Sequence, residues 1–409
     1  MKAPVEGNRS ATARGWSWVL LVMILAGTGT LAGCWDRTEV NDLAIITAAS
    51  IDRAEQGNVE VSVQVFISSS GQQGISQSGG SGGPNAMNKT TVRSEKGITV
   101  ADAVSKLQEK LPRKIFWGHT EVFIFGEEAA RAGIGKHIDY LLRHPQPREH
   151  SFLFISKGKA KELLSLMPPL ERNLAEELRE IARSRVQMEV TLRDVAEMLT
   201  AESGATAVPW IEPLPPEPGQ TAKQKPAYIL GTAVFKKDEM IGRLDAALTR
   251  GALFLRDEIH TATVTVPLER RDGSVSVEII KNHTELIPVI RDNRWSLTVR
   301  MKAQSNVIQN TSTLDMNSLD VVRKLESKLN ESLENRVTET LNRVQKEMKA
   351  DILQFGDVFR IRYPAEYHKV KGRWDELFPQ ISVNVKAEVK VLRPGLNTIG
   401  RKIQSKSKR

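Results

Sequence analysis

The sequence predicts an α+β protein: mixed sheets with packed helices, in two to three domains, with one long helix near the C-terminus. Three observations predict it. Strand-like alternation and helical stripes follow one another through the first two hundred residues. A second series of alternating segments follows a proline-rich stretch, and a single apolar stripe then holds helical spacing from Ser318 to Met348. The length of 409 residues suits two or three domains. With 40% hydrophobic and 26% charged residues, 28 Gly and 18 Pro, the chain is neither collagen-like, nor wholly disordered, nor a multi-span membrane protein. Its single cysteine excludes a disulfide framework, a Cys-rich zinc site and a CxxC redox centre.

The first 34 residues set the compartment. Lys2, Arg9 and Arg14 form a positive region, Trp16 to Ala26 is apolar, and small residues follow up to Gly33. This is the layout of a secretory signal. A retained anchor would have to span with the 19 residues from Gly15 to Gly33, barely enough and rich in Gly, Ser and Thr. Leu31-Ala32-Gly33-Cys34 matches the bacterial lipobox. Small residues at 32 and 33 let a peptidase approach, and the Cys34 thiol takes a diacylglyceryl group before cleavage. Residues 1–33 are therefore expected as a lipoprotein signal peptide, and Cys34 as the diacylglycerol- and N-acyl-bearing first residue of a protein held on the extracytoplasmic membrane face. Two or three acyl chains anchor stably where one does not. The net charge of +9 becomes +7 in the mature chain, 55 basic against 48 acidic residues. A translocated, tethered protein does not meet nucleic acid, so the basicity points to lipid headgroups or an acidic partner.

Along the mature chain, Val59 to Ile67 alternates as a half-buried strand, and 89–94 reads as its return across a Gly/Ser/Gln loop at 68–85. Thr99 caps a helix with Val100, Val104, Leu107 and Leu111 on one face, ended by Pro112. Short strands are expected at 121–125 and 151–155, with helices at 134–142 and 159–166. Thr191 opens a helix with Asp194 at the capping-box position. These elements make an N-terminal α/β domain, 34–205, of one or two subdomains. Five prolines between Val208 and Pro218 predict a stiff linker over 206–226. A C-terminal α+β domain over 227–395 then carries strands at 228–235, 259–266, 274–281 and 296–303. In it the long helix, about 45 Å, lies across its own sheet, and a last strand follows at 381–391. The basic tail 396–409 has no apolar pattern and is expected to be disordered.

No catalytic set emerges. Gly79-Gly-Ser81-Gly-Gly83 matches a nucleophile elbow only in letters, because no strand leads into a helix there. Gly133-Ile-Gly135 lacks the remainder of a phosphate loop. His119-x-Glu121 lacks the paired cysteines of zinc deaminases, and His137, His144 and His150 lack metal-ligand spacing. No catalytic, cofactor-binding or metal residue is expected, and no cofactor.

Cys34-Trp-Asp-Arg-Thr-Glu-Val-Asn-Asp42 and the following Leu43 to Asp52 closely resemble the opening of the Ger(x)C family, the C subunits of bacterial spore germinant receptors. The resemblance continues in Trp117-Gly-His-Thr-Glu-Val, Gly126-Glu-Glu-Ala-Ala-Arg-Ala-Gly133 and Arg143-x-Pro145-x-x-Arg148. In the second half it runs through Gly231-Thr-Ala-Val-Phe-Lys-Lys-Asp, Gly242, Arg250-Gly251, Phe355-Gly-Asp, Tyr363-Pro364, Trp374 and Phe378-Pro379. It implies a non-enzymatic lipoprotein at the outer face of the spore inner membrane. Such a protein works with A and B receptor subunits to couple nutrient to germination. The alternative function is a lipid-anchored solute-binding protein that itself captures the nutrient, which would need two similar lobes. Trp117 and Trp374 are expected in the core; Trp35 sits either in the headgroups or on the first domain.

Overall fold

The computed structural model describes Met23 and residues 39–67, 90–219, 221, 224–268, 273–312 and 314–393. Cys34, Trp35, the rest of the expected signal peptide, the loop 68–85 and the tail 396–409 lie outside the described residues. Met1–Leu43 forms one unit, in which Val40–Asp42 makes a 3-10 turn, and Ala44–Arg409 forms the other.

From Ala44 on, the larger unit holds β1 (Leu43–Arg53, its first residue in the smaller unit), β2 (Val59–Phe66) and β3 (Thr90–Gly97), paired antiparallel in that order. Next come α1 (Val100–Glu109), β4 (Lys114–Phe116), β5 (Val122–Gly126), α2 (Glu127–Arg131) and α3 (Gly135–Arg143). β6 (Phe152–Ser156), α4 (Ala160–Leu164), α5 (Leu174–Arg183), α6 (Leu192–Thr200), β7 (Ala205–Pro213), β8 (Ala227–Lys236) and β9 (Glu239–Asp245) complete one nine-stranded sheet. Its order is β3-β2-β1-β5-β6-β7-β8-β9, with β4 beside β1. β1, β5, β6 and β7 run parallel, as crossovers through helices require.

The helix starts follow local chemistry. Thr99 accepts from the Asp102 N–H, and Thr191 with Asp194 forms a complete capping box. One sheet face buries Val61, Phe123, Leu153 and Trp210, and the other Ala48, Ile124, Phe154 and Ile211 under α4 and α5. β2 is thus buried on both faces rather than one; its second face carries Glu60, Ser62 and Gln64.

The segment expected as a linker over 206–226 is different. Its first part lies in β7, paired with β8 from Ala205↔Lys236 to Pro213↔Ala227. β6 pairs with β7 only at Trp210 and Ile211, so Pro209 and Pro213 fall where a missing N–H breaks no ladder on that side. The stretch after Pro213 is a loop closed by Leu214 N–H donating to Pro226 O at 2.9 Å. The proline-rich run is therefore a strand and its turn, not a spacer.

α7 (Ala246–Leu255) leads to β10 (Ala262–Pro267), β11 (Ser274–Arg291), β12 (Arg294–Asn310), α8 (Leu319–Leu341), α9 (Phe355–Arg362), α10 (Pro364–Val370), α11 (Trp374–Leu377) and β13 (Ser382–Arg393). The strands form a second sheet, β10-β11-β12-β13, with β13 parallel to β12. α8 continues through a π-helical turn, Asn342–Met348, that turns buried Gln345 toward the carbonyls of Phe378 and Ile381. It lies on its own sheet as expected, covering the outer edge of β13. One apolar cluster runs from Ala44 to Val389 through both halves, alongside the second cluster under α4 and α5.

Candidate functional site

Most residues of the sequence motifs prove to be joints of the fold. Asp52, at the end of the first motif, accepts from the N–H groups of Ala160 (2.7 Å) and Lys161 (2.9 Å), capping α4 across the chain. Burial raises its pKa against those hydrogen bonds. Gly126 sits so close that a Cβ there would lie 2.1 Å from the Asp52 carboxylate. Ile134 N–H donates to Asp238 O, and Gly135 N–H to the Asp238 carboxylate, so the motif at 126–133 meets the motif ending at Asp238. Gly231 faces the Leu244 carbonyl with room for no side chain, a Cβ there falling 2.0 Å from the oxygen.

The last motifs build one buried cluster. Asp351, fully enclosed, accepts from Phe355 N–H (3.0 Å), Gly356 N–H (2.7 Å) and Trp374 Nε1 (2.9 Å). Burial pushes its carboxyl up to about 6 in spite of these donors. Trp374 is surrounded by Trp295, Phe359, Tyr367 and Phe378 at ring separations of 5.3 to 6.4 Å. Trp374 and Trp117 are both core residues, the latter stacked on Phe123.

His137 and Glu177 are also buried. His137 lies against the Phe125 ring, and burial pushes its imidazole down to about 4. Glu177 accepts from the Ala227 N–H, and burial pushes it up to about 7. His137, His144 and His150 do not converge, and among the described residues no three of His, Cys, Asp and Glu group to hold a metal.

A cleft of about 330 Å³ opens between α6 and the segment 352–357. Its carboxylates are already engaged: Glu189 with Arg185, Glu197 with Arg193, Asp357 with Arg360, and Asp194 in its capping box. Arg256 at its wall holds Glu258 and the Ile352 carbonyl. Nothing in it is arranged for a reaction. The nine-stranded and four-stranded sheets are also not the two similar lobes that a solute-binding protein needs.

A group of exposed residues gathers at one edge, where β1 begins. Thr120 Oγ1 donates to Ile46 O and Glu121 N–H to Thr47 O, so the 117–121 loop sits beside the start of β1. Trp117 N–H donates to Gln146 Oε1, and Ser151 Oγ to Thr120 O, which ties in the 144–151 loop. Gln108 closes the 110–115 turn, its amide donating to the Arg113 carbonyl and accepting from the Ile115 N–H, and the pairing of β4 with β1 brings that turn alongside. The Arg113, Lys114, His119, Arg148 and His150 side chains project from these loops into solvent. Glu121 is held by Arg179, and Glu149 lies in the field of Arg193. Sequence reading named His119 and Arg148 but not Arg113 or Lys114; only the packing of three separate loops brings them together.

Residues 36–213 match the family described as Spore germination protein N-terminal domain, and residues 230–395 match Spore germination B3/GerAC-like, C-terminal. The protein YfkR of Bacillus subtilis (strain 168) is 29% identical over 377 residues, covering 92% of this chain and 95% of that protein. Spore germination protein KC of the same organism is 27% identical over 396 residues, covering 92% and 96%. Among solved structures, the crystal structure of the GerBC protein matches with a TM-score of 0.56 at 19% identity, over 84% of this chain and 96% of that one, a likeness of fold.

Proposed function

The chain belongs to the Ger(x)C family, the C subunits of spore germinant receptors, and from that premise we propose that it is a lipid-anchored, non-catalytic subunit of a nutrient germinant receptor complex. The observation that carries the reading is the position of its single cysteine. Cys34 closes the lipobox Leu31-Ala-Gly-Cys34, two residues before the family match begins at residue 36. Acylated there, the protein sits on the extracytoplasmic face, at the outer face of the spore inner membrane. It meets the A and B subunits at or just above that surface. The non-catalytic part is supported by motif residues that make joints, and by a cleft whose charged groups are spent on one another.

The anchor is tested by mass spectrometry of the N-terminal peptide of the protein purified from spore membranes. The expected peptide begins at Cys34 and carries diacylglyceryl and N-acyl mass, both lost in Cys34→Ala. A peptide that retains residues 1–33 with a free thiol overturns the anchor. The receptor role is tested by deleting the protein and comparing nutrient germination with germination by an agent that bypasses receptors. An unimpaired nutrient response overturns it.

A further inference from the structure

We propose that the edge of the nine-stranded sheet at which β1 begins is a membrane-docking face that lies against anionic phospholipid. The inference rests on the Cys34 anchor and extends it from a tether to an orientation. From Cys34 to Ala44, where the larger unit starts, is ten residues, a reach of at most about 35 Å. The end of the sheet that this tether enters is therefore the end held closest to the bilayer.

That end has the chemistry of an interfacial surface. Arg113, Lys114 and Arg148 are exposed there and have no ion-pair partner among the described residues. Exposed apolar side chains accompany them. β2 runs antiparallel to β1, so its C-terminal end lies at the same edge, with Phe66 and Ile67 at 42% and 46% exposure. Bare cations beside exposed apolar tips suit a surface with phosphate outside and acyl chains beneath, and waste their apolar part on water or on a purely acidic protein. Three cations near an anionic surface favour the docked orientation on the order of a hundredfold.

The acylated full-length chain provides the test, because with Cys34 blocked an introduced cysteine is the only free thiol. Ile67→Cys and, as a control, Ile361→Cys on α9 are each labelled with an environment-sensitive fluorophore and reconstituted on phosphatidylglycerol vesicles. Ile361 is 75% exposed. The label at 67 should be shielded from an aqueous quencher and the label at 361 should not. Neutral phosphatidylcholine, or Arg113→Glu with Lys114→Glu and Arg148→Glu, should abolish the shielding while the chain stays on the vesicle. Equal quenching at both positions on anionic vesicles overturns the docking face and leaves the anchor standing. Shielding seen in spore membranes but not on vesicles overturns lipid as the occupant in favour of a protein. A second reactive thiol, at Cys34, shows instead that the anchor itself has failed.

Discussion

β13 is an edge strand, and its outward N–H groups would be open to pairing with another chain. They are taken instead by a row of side chains one turn apart on α8. Ala387 N–H donates to Glu334 (2.9 Å), Val389 N–H to Asn330 (2.7 Å) and Val391 N–H to Glu326 (3.0 Å). The perturbation of choice is Asn330→Ala. Val389 is 2% exposed, so water cannot readily replace the lost acceptor, and orphaning a buried N–H costs about 2 kcal/mol. Alanine is the better helix former by about 0.6 kcal/mol, which leaves a net loss of about 1.5 kcal/mol. Glu326→Ala and Glu334→Ala face half-buried strand residues that water reaches, and should cost less, about 0.5 to 1 kcal/mol each. Asn330→Asp keeps the acceptor and should stay near the parent. Native-state hydrogen exchange at Val389 reads the effect locally; its protection should fall about tenfold in Asn330→Ala. Protection unchanged in Asn330→Ala, or lost equally in Asn330→Asp, would refute the side-chain row as the cover of this edge.

Two buried groups give opposite pH dependences. His137, held down at about 4 from an ordinary 6.5, refuses a proton that the unfolded chain accepts, so stability falls as pH drops from about 6.5 toward 4. His137→Phe should flatten that acid limb in denaturant titrations, and a limb unchanged in the variant assigns the loss elsewhere. Glu177, held up at about 7 from 4.5, keeps a proton that the unfolded chain releases, so it lowers stability as pH rises through that window. Glu177→Gln should remove this slope, and a slope that persists sinks the assignment. Gly231→Ala would press its Cβ onto the Leu244 carbonyl and should cost about 3 kcal/mol through β8–β9 separation; near-parent thermal stability would show that the strands shift cheaply.

Local chemistry was legible in the sequence and long-range pairing was not. Thr99 and Thr191 announce their helices because a cap is satisfied within three residues. α5 carried a comparable signal, Asn173 capping the Glu176 N–H ahead of Leu174 and Leu178, but its charged face hides the stripe. β11 and β12 extend well past the expected 274–281 and 296–303. Asp292 and Asn293 both adopt positive φ, the backbone of a tight two-residue hairpin turn, and His283 and Glu285 past Lys281 belong to an exposed face of a continuing strand. Asp351 could not be read at all, since its donors come from Phe355, Gly356 and Trp374 and only the folded chain assembles them.

The proline-rich run bears most directly on how the two halves are joined. Proline density suggested two domains on a stiff spacer, which would let the second domain swing or be held at a chosen angle. The register from Ala205↔Lys236 to Pro213↔Ala227 removes that freedom, because both matched halves supply strands to one sheet and side chains to one core. Any hinge between them would have to break the ladder between β7 and β8 and expose Trp210, Ala233 and Phe235 to water. The Asp238 contacts to Ile134 and Gly135 bind the halves a second time. A chain built this way cannot bend at its middle without breaking that ladder and opening that core.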